Sequence, residues 1–129
     1  MESNHKLSVI LKAHSSPSQL ELRCAFTLLY YFNSSIEFLP RAQIHTPDIK
    51  IVKKSQFWEI KDIKGNSKNT IQHNLSGAKK QSQNIVITLY STKMAPKVAI
   101  GRIKSELNKT TAIKRCLVIT KAEKVIKIK

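Results

Sequence analysis

The sequence predicts a single α/β domain with a mixed central sheet and helices on its faces. Three observations predict it. At 129 residues the chain has room for one domain, and a chain of this length buries roughly two thirds of its extended surface without needing staples. Segments with helical spacing of apolar residues alternate with short apolar runs, in the order α-β-ββ-α-β-α-ββ after an N-terminal arm. One of those runs, residues 85–90, is apolar almost throughout, as in a strand covered on both sides.

Residues 1–15 read as an arm or edge strand (7–11), and residues 16–129 as the domain. Ser16 caps a first helix, Pro17 suits its first position and Gln19 completes a capping box; the helix runs to about residue 32, where Asn33-Ser34-Ser35 breaks it. Residues 36–39 form a strand and 40–46 a loop. Strands at 48–52 and 57–63 flank the polar turn Lys53-Lys54-Ser55 and make a hairpin. Gly65-Asn66-Ser67 opens a second helix, 68–82, and the strand at 85–90 follows. A third helix, 95–109, carries Ala99, Ile103 and Leu107 at four-residue spacing. Strands at 117–120 and 125–128 close the chain.

Lys and Arg number 23 against 8 Asp and Glu, a formal net charge of +15, and such a field attracts polyanions and speeds their capture. Lysine drift in an AT-rich genome accounts for part of this, but drift normally raises Glu along with Lys. An anionic membrane surface is a weaker reading, because no helix is both basic and strongly amphipathic with aromatic anchors. No apolar run approaches the ~18 residues of a membrane span. Cys24 and Cys116 each sit in an apolar stretch and read as small buried hydrophobes in a reduced, cytoplasmic setting.

The few carboxylates carry the chemistry. Asp48 follows Pro47, and ten residues later comes Glu59-Ile60-Lys61, with Asp62 next. Side chains alternate along a strand, so Glu59 and Lys61 share one face, with Trp58 and Ile60 on the other. If Asp48 lies on the neighbouring strand, two carboxylates and a lysine converge. A hard cation such as Mg²⁺ (or Mn²⁺) takes oxygen ligands and keeps several waters, so Asp48 and Glu59 are the candidate metal ligands and Lys61 the group that activates a nucleophile or stabilises developing charge. An exposed hairpin with solvated charges would produce the same string. Against that, the strand 57–63 is apolar on both faces, where unpaired charge is costly. Glu21 falls within the apolar arc of the first helix, between the directions of Leu28 and Phe32. It is either a structural ion pair with a lysine or a further acid aimed at the same site.

On the second helix, Thr70, Asn74, Gly77 and Gln81 form a polar stripe beside Ile71, Leu75 and Ala78. Such a stripe binds backbone phosphate or sugar, or is simply a solvated border. Asn66 and Ser67 would present backbone N–H groups to a phosphate at the helix start. Lys68 and Lys79 add charge there, while Lys127 and Lys129 read as compositional background. The histidines fit no zinc spacing, His45 is the one placed near Asp48, and with three glycines no Gly-rich phosphate loop is present.

The succession of an acidic helix, Ile36-Glu37-Phe38-Leu39-Pro40, Thr46-Pro47-Asp48 and Trp58-Glu59-Ile60-Lys61 resembles the PD-(D/E)XK nuclease superfamily. The run from Lys64-Gly65-Asn66-Ser67 through Asn74-Leu75 to Ala78-Lys79-Lys80-Gln81-Ser82 resembles the C-terminal tRNase domain of contact-dependent growth-inhibition toxins, the CdiA C-terminal type, over about residues 17–129. That resemblance implies a restriction-endonuclease-like fold and a phosphodiesterase acting on tRNA. The metal site would be at Asp48 and Glu59, with Lys61 as the motif lysine and Glu21 as the helical acid. It also implies action in the cytoplasm and an acidic immunity or assembly partner. Such toxins usually end very long secreted chains, whereas this one begins with its own Met1 and a short arm. Small Holliday junction resolvases share the size and motif order, so a DNA endonuclease and a non-catalytic basic nucleic-acid-binding protein are the alternatives. Exonuclease relatives with a Gln-x-x-x-Tyr helix do not match, since Ile85 stands four residues after Gln81.

Overall fold

Among the residues that the computed structural model describes, 6–41 and 46–129, seven strands lie side by side in chain order. They are β1 (Val9–Leu11), β2 (Ile36–Phe38), β3 (Ile49–Ile51), β4 (Gln56–Asp62), β5 (Asn84–Thr88), β6 (Arg115–Ile119) and β7 (Val125–Lys127). Helices α1 (Gln19–Phe32), α2 (Lys68–Ala78) and α3 (Pro96–Leu107) link β1 to β2, β4 to β5 and β5 to β6. Those three strand pairs are parallel, and the pairs joined by short links, β2–β3, β3–β4 and β6–β7, are antiparallel. Parallel neighbours need a crossover and antiparallel ones do not, so the spacing of helices along the chain dictates the mixed sheet.

The sheet has a core on each face. Cys24, Ala25 and Leu28 of α1 pack on Ile49, Trp58 and Val86, while Ile71, Leu75 and Ile103 of α2 and α3 pack on Ile85, Ile87 and Val118. Every residue of β5 is buried, as its apolar run requires. Cys24 and Cys116 are free thiols in opposite cores, and burial raises the pKa of both. Among the described residues no helix is long and apolar enough to cross a membrane.

Three local expectations need correction. Helix α1 is capped by Ser18, not Ser16; Ser16 itself sits at φ 45. Ser18 accepts from the Glu21 N–H at 3.1 Å and Glu21 reaches back to the Ser18 N–H at 2.8 Å. The reciprocal box with Glu21 wins because a carboxylate also interacts favourably with the helix N-terminus, which the Gln19 amide of the alternative does not. Asp48 lies just before β3 rather than in it. Helix α2 stops at Ala78, four residues short of the expected end.

The β6–β7 hairpin is tied to α1 through Glu123, which sits at φ 63. Its carboxylate accepts from Arg23, from the Thr27 hydroxyl at 2.7 Å and from the Tyr90 hydroxyl at 2.8 Å, and the Arg23 guanidinium lies 3.8 Å from the Tyr90 ring centroid. Arg23 is exposed on α1 and anchors this corner through its guanidinium, which also donates to the Lys121 carbonyl at 2.8 Å. The surrounding donors hold the Glu123 pKa below the usual carboxylate range despite some desolvation. Glu123→Ala should therefore lower stability by about 1–2 kcal/mol, as for loss of a few partly exposed charge-assisted hydrogen bonds. Chemical denaturation at pH 7 measures it, and the deficit should shrink as pH falls from the ordinary carboxylate pKa, where the unfolded chain takes up the proton first, through the lowered folded pKa, where native Glu123 is protonated in turn.

Candidate active site

The site forms where β4 changes partners. Residues 56–58 of β4 pair with β3, and residues 59–62 pair with β5. β3 therefore parts from β4 just before Glu59, and Asp48 stands in the fork. The Asp48 N–H donates to the Trp58 carbonyl at 3.1 Å and its own carbonyl accepts from the Leu39 N–H at 2.9 Å. Its side-chain Oδ2 accepts from the Ile60 N–H at 2.8 Å. The carboxylate satisfies a β4 donor at the point where β3 departs, which fixes its direction.

The pairing of β3 with β4 ends at Ile49 opposite Trp58, one residue short of Asp48 and Glu59, and it is through their side chains that these two residues interact. Both are buried, Asp48 at 9% and Glu59 at 2% exposure, and their carboxyl groups interact with each other. Desolvation raises the pKa of both. Glu59 is pushed up to about 8, first by burial and then by the Asp48 charge, with Lys61 opposing. Lys61 Nζ lies 3.4 Å from Glu59 Oε2. The other oxygen, Oε1, is buried with no hydrogen-bond partner.

Lys61 is also the side chain that reaches the adjoining cleft. This cleft, about 550 Å³, is bounded by Ser18 and Glu21 of α1, Lys61 and Asp62 of β4, and Thr70 and Asn74 of α2. Asp48 and Glu59 do not line it. Asp62 is occupied, accepting from the Thr88 hydroxyl at 2.6 Å and from the Ser91 hydroxyl.

Glu21 is brought to this region, but not as an unpaired acid among core residues. It is partly exposed, holds the capping box, and accepts from Arg41 Nη2 at 2.6 Å. Arg41 Nη1 lies 3.5 Å from Asp48 Oδ1, so one guanidinium joins the two acids. Sequence reasoning missed Arg41. It follows Pro40 in a loop, and no periodicity points a loop side chain anywhere.

The expected ligand contacts on α2 divide. Thr70 and Asn74 line the cleft, and a Cβ at Gly77 would lie 3.9 Å from Lys61 Nζ, so this part of the polar stripe faces β4. Asn74 Nδ2 donates to the Thr70 carbonyl at 2.8 Å. Asn66 and Ser67 are exposed just before the helix; the Ser67 and Thr70 hydroxyls pair at 3.1 Å, and no side chain caps the first turn. Gly65 packs so tightly that a Cβ would meet Thr70 Oγ1 at 2.6 Å. Lys79 and Gln81 are not at the cleft. With α2 ending at Ala78, Lys79 lies beside Glu106 and Lys109, and Gln81 beside Pro47 and Phe57. His45 and the Lys68 side chain lie outside the described residues.

Among the described residues no group of three or more His, Cys, Asp or Glu side chains could hold a metal ion. A site built wholly from side chains is thus not what these residues offer. Two adjacent carboxylates, one with an orphaned oxygen, do fit a hard cation that is held by one or two carboxylates and completes its shell with water and phosphate oxygens.

The family model described as contact-dependent growth inhibition CdiA C-terminal domain matches residues 45–125. A solved structure, the CdiA-CT/CdiI toxin and immunity complex from Burkholderia pseudomallei, is similar over 95% of this chain and 98% of that chain, with a TM-score of 0.65 and 20% identity. No curated protein matches. The likeness to the solved structure is one of fold. The family match spans more than half of the sequence, including Asp48, Glu59, Lys61 and all of α2, and the chain belongs to the contact-dependent growth inhibition CdiA C-terminal domain family.

Proposed function

We propose that this chain is a toxin nuclease of the PD-(D/E)XK kind, with a restriction-endonuclease-like fold, that hydrolyses phosphodiester bonds of tRNA using Mg²⁺ or Mn²⁺ at Asp48 and Glu59. The observation that carries this reading is the fork of β3 and β4, which sets two buried carboxylates against each other beside Lys61. A buried like-charged pair with an orphaned oxygen is costly to maintain for structure alone. It is suited to a site that binds a cation.

Each residue has a separable task. Asp48 is held in place by the Ile60 N–H, and Glu59 offers the free Oε1. A divalent cation on this pair would neutralise phosphate charge and make water nucleophilic at neutral pH. Lys61 places an ammonium between the carboxylates and the cleft, where it stabilises charge that develops on the reacting phosphate. Glu21 acts through Arg41, holding the guanidinium against Asp48. The uncapped N-terminus of α2 with Thr70 and Asn74 receives the flanking phosphates, with Asn66, Ser67 and Lys68 nearby in sequence. The net charge of +15 supports a polyanionic substrate.

Family membership and the solved toxin and immunity complex support a toxin role in the cytoplasm and an immunity-type protein as partner, and the net charge of +15 favours an acidic one. Incubating the protein with total tRNA and with plasmid DNA, each with Mg²⁺, Mn²⁺ or EDTA, tests the proposal. We expect tRNA to be cut with either cation and spared in EDTA. Undiminished cutting in EDTA would overturn the metal-dependent reading, and preference for plasmid would move the substrate to DNA.

A further inference from the structure

A second surface, remote from the cleft, has the chemistry of a nucleic-acid-binding groove. It measures about 740 Å³ and is lined by Lys54 after β3, Lys114 and Arg115 at the start of β6, Lys127 and Lys129 at the chain end, and Tyr31 at the end of α1. No acidic side chain lines it. None of its five cations has an ion-pair partner among the described residues, and Arg115 donates to the Asn84 side-chain oxygen at 3.2 Å. The cations come from three separate stretches of sequence, at 54, 114–115 and 127–129, so drift toward lysine does not account for their convergence. Five cationic side chains converging without an acidic side chain repel one another, and an anionic ligand relieves that repulsion.

Aromatic character separates a nucleic acid from other polyanions. Tyr31 is 45% exposed, and its ring is braced edge-on by Phe32, with centroids 5.0 Å apart at 85°. A cationic track beside an exposed, braced ring is how single-stranded or splayed nucleotides are held: phosphates on the lysines and a base on the ring. The groove and the cleft stand at opposite ends of α1, with Ser18 and Glu21 at the cleft and Tyr31 at the groove. A helix of 14 residues is about 21 Å long, which along a nucleic-acid strand is roughly six phosphates.

We infer that the groove of Lys54, Lys114, Arg115, Lys127, Lys129 and Tyr31 binds the substrate RNA at a point roughly six nucleotides or more from the bond presented to the cleft. The inference rests on the proposed nuclease reading for the position of the cut, but not for the binding itself. Lys127 and Lys129, which the sequence assigns to background, then belong to recognition.

The test is binding of total tRNA in EDTA, which removes turnover, so a failure to cleave in the catalytic assay leaves this measurement valid. One variant combines Lys54→Gln, Lys114→Gln, Arg115→Gln, Lys127→Gln and Lys129→Gln. A control removes the same charge elsewhere with Lys79→Gln, Lys80→Gln, Lys97→Gln, Lys104→Gln and Lys109→Gln. The groove variant should bind tRNA at least about 10-fold more weakly and lower the log–log salt slope by about 3 or more, while the control changes both much less. Tyr31→Ala should weaken tRNA binding about five-fold and leave polyglutamate binding unchanged. Equal losses in the groove variant and the control would overturn the inference. So would a Tyr31→Ala protein that binds tRNA like wild type, because the groove would then be a general polyanion patch.

Discussion

Asp48→Asn and Glu59→Gln should each slow tRNA cleavage by about 10³-fold or more, while tRNA binding stays unchanged or tightens. Both substitutions keep side-chain shape, and an amide oxygen at position 48 can still accept from the Ile60 N–H that orients Asp48. What each removes is one member of the acid pair and with it a cation ligand; because cation-free Glu59 keeps a proton up to about pH 8, its amide leaves the charge that phosphate meets in EDTA nearly unchanged. Lys61→Ala should cost about 10²-fold, because it removes a donor for developing charge without removing a cation ligand. Single-turnover cleavage with saturating Mg²⁺, alongside binding in EDTA, separates the two effects. If Asp48→Asn cleaves at the wild-type rate, the fork is not the catalytic centre, and a metal-independent ribonuclease mechanism would have to be sought elsewhere.

Much of this architecture is legible in sequence because the relevant signals are local. Consecutive apolar residues, Ile85-Val86-Ile87, mark β5, and Ala99, Ile103 and Leu107 mark α3; all of these are buried. The turn Lys53-Lys54-Ser55 implies antiparallel β3 and β4, and Ser55 closes it at φ 53. Strand alternation alone places Glu59 and Lys61 on one face, where their charged groups lie 3.4 Å apart, and the short hairpin leaves Asp48, just before β3, within interaction range of Glu59.

What the sequence did not disclose depends on contacts between distant segments. Nothing local indicates that β4 exchanges β3 for β5 at Glu59, which is what opens the fork. Glu21 is easily taken for a buried acid because its helical angle lies within the apolar arc. That angle does not tell how close a residue is to a helix end, and Glu21 is in the first turn, where the chain is exposed and a carboxylate caps. Arg41 and Glu123 act through loops, 20 and 100 residues from their partners Glu21 and Arg23. The stripe on α2 was extended to Gln81 by periodicity, but periodicity does not report where hydrogen bonding stops. The C-terminal lysines show no local pattern at all. They become a groove only when β6 and β7 meet the ends of α1 and β3.

The acid pair should also be visible in stability, with a sign opposite to that of an ordinary paired carboxylate. In the unfolded chain Glu59 titrates near 4.5, and in the folded protein burial and Asp48 raise it to about 8. Between those values the native state holds a proton that the unfolded state has released. Cation-free protein should therefore be most stabilised by this group below about pH 4.5 and lose that contribution as pH rises through 8. Asp48, also raised chiefly by burial, acts in the same direction. The expected loss is on the order of 2–5 kcal/mol, the lower part of that range being appropriate for a pair whose carboxyl groups interact. For a chain of this size it corresponds to a fall in Tm of about 5–15 °C. Thermal unfolding in EDTA between pH 5 and 8.5 measures it. Glu59→Gln, a neutral mimic of the protonated acid, should flatten the profile and be the more stable protein at pH 8. The Glu123 network cannot imitate this result, because its lowered pKa affects stability only at and below the ordinary carboxylate range. Adding Mn²⁺ at pH 8 should restore wild-type Tm by binding the ionised pair, and should leave Glu59→Gln where it was. A wild-type profile parallel to that of Glu59→Gln would mean that the pair holds no extra proton, and equal stabilisation of both proteins by Mn²⁺ would mean that the cation binds somewhere other than Asp48 and Glu59.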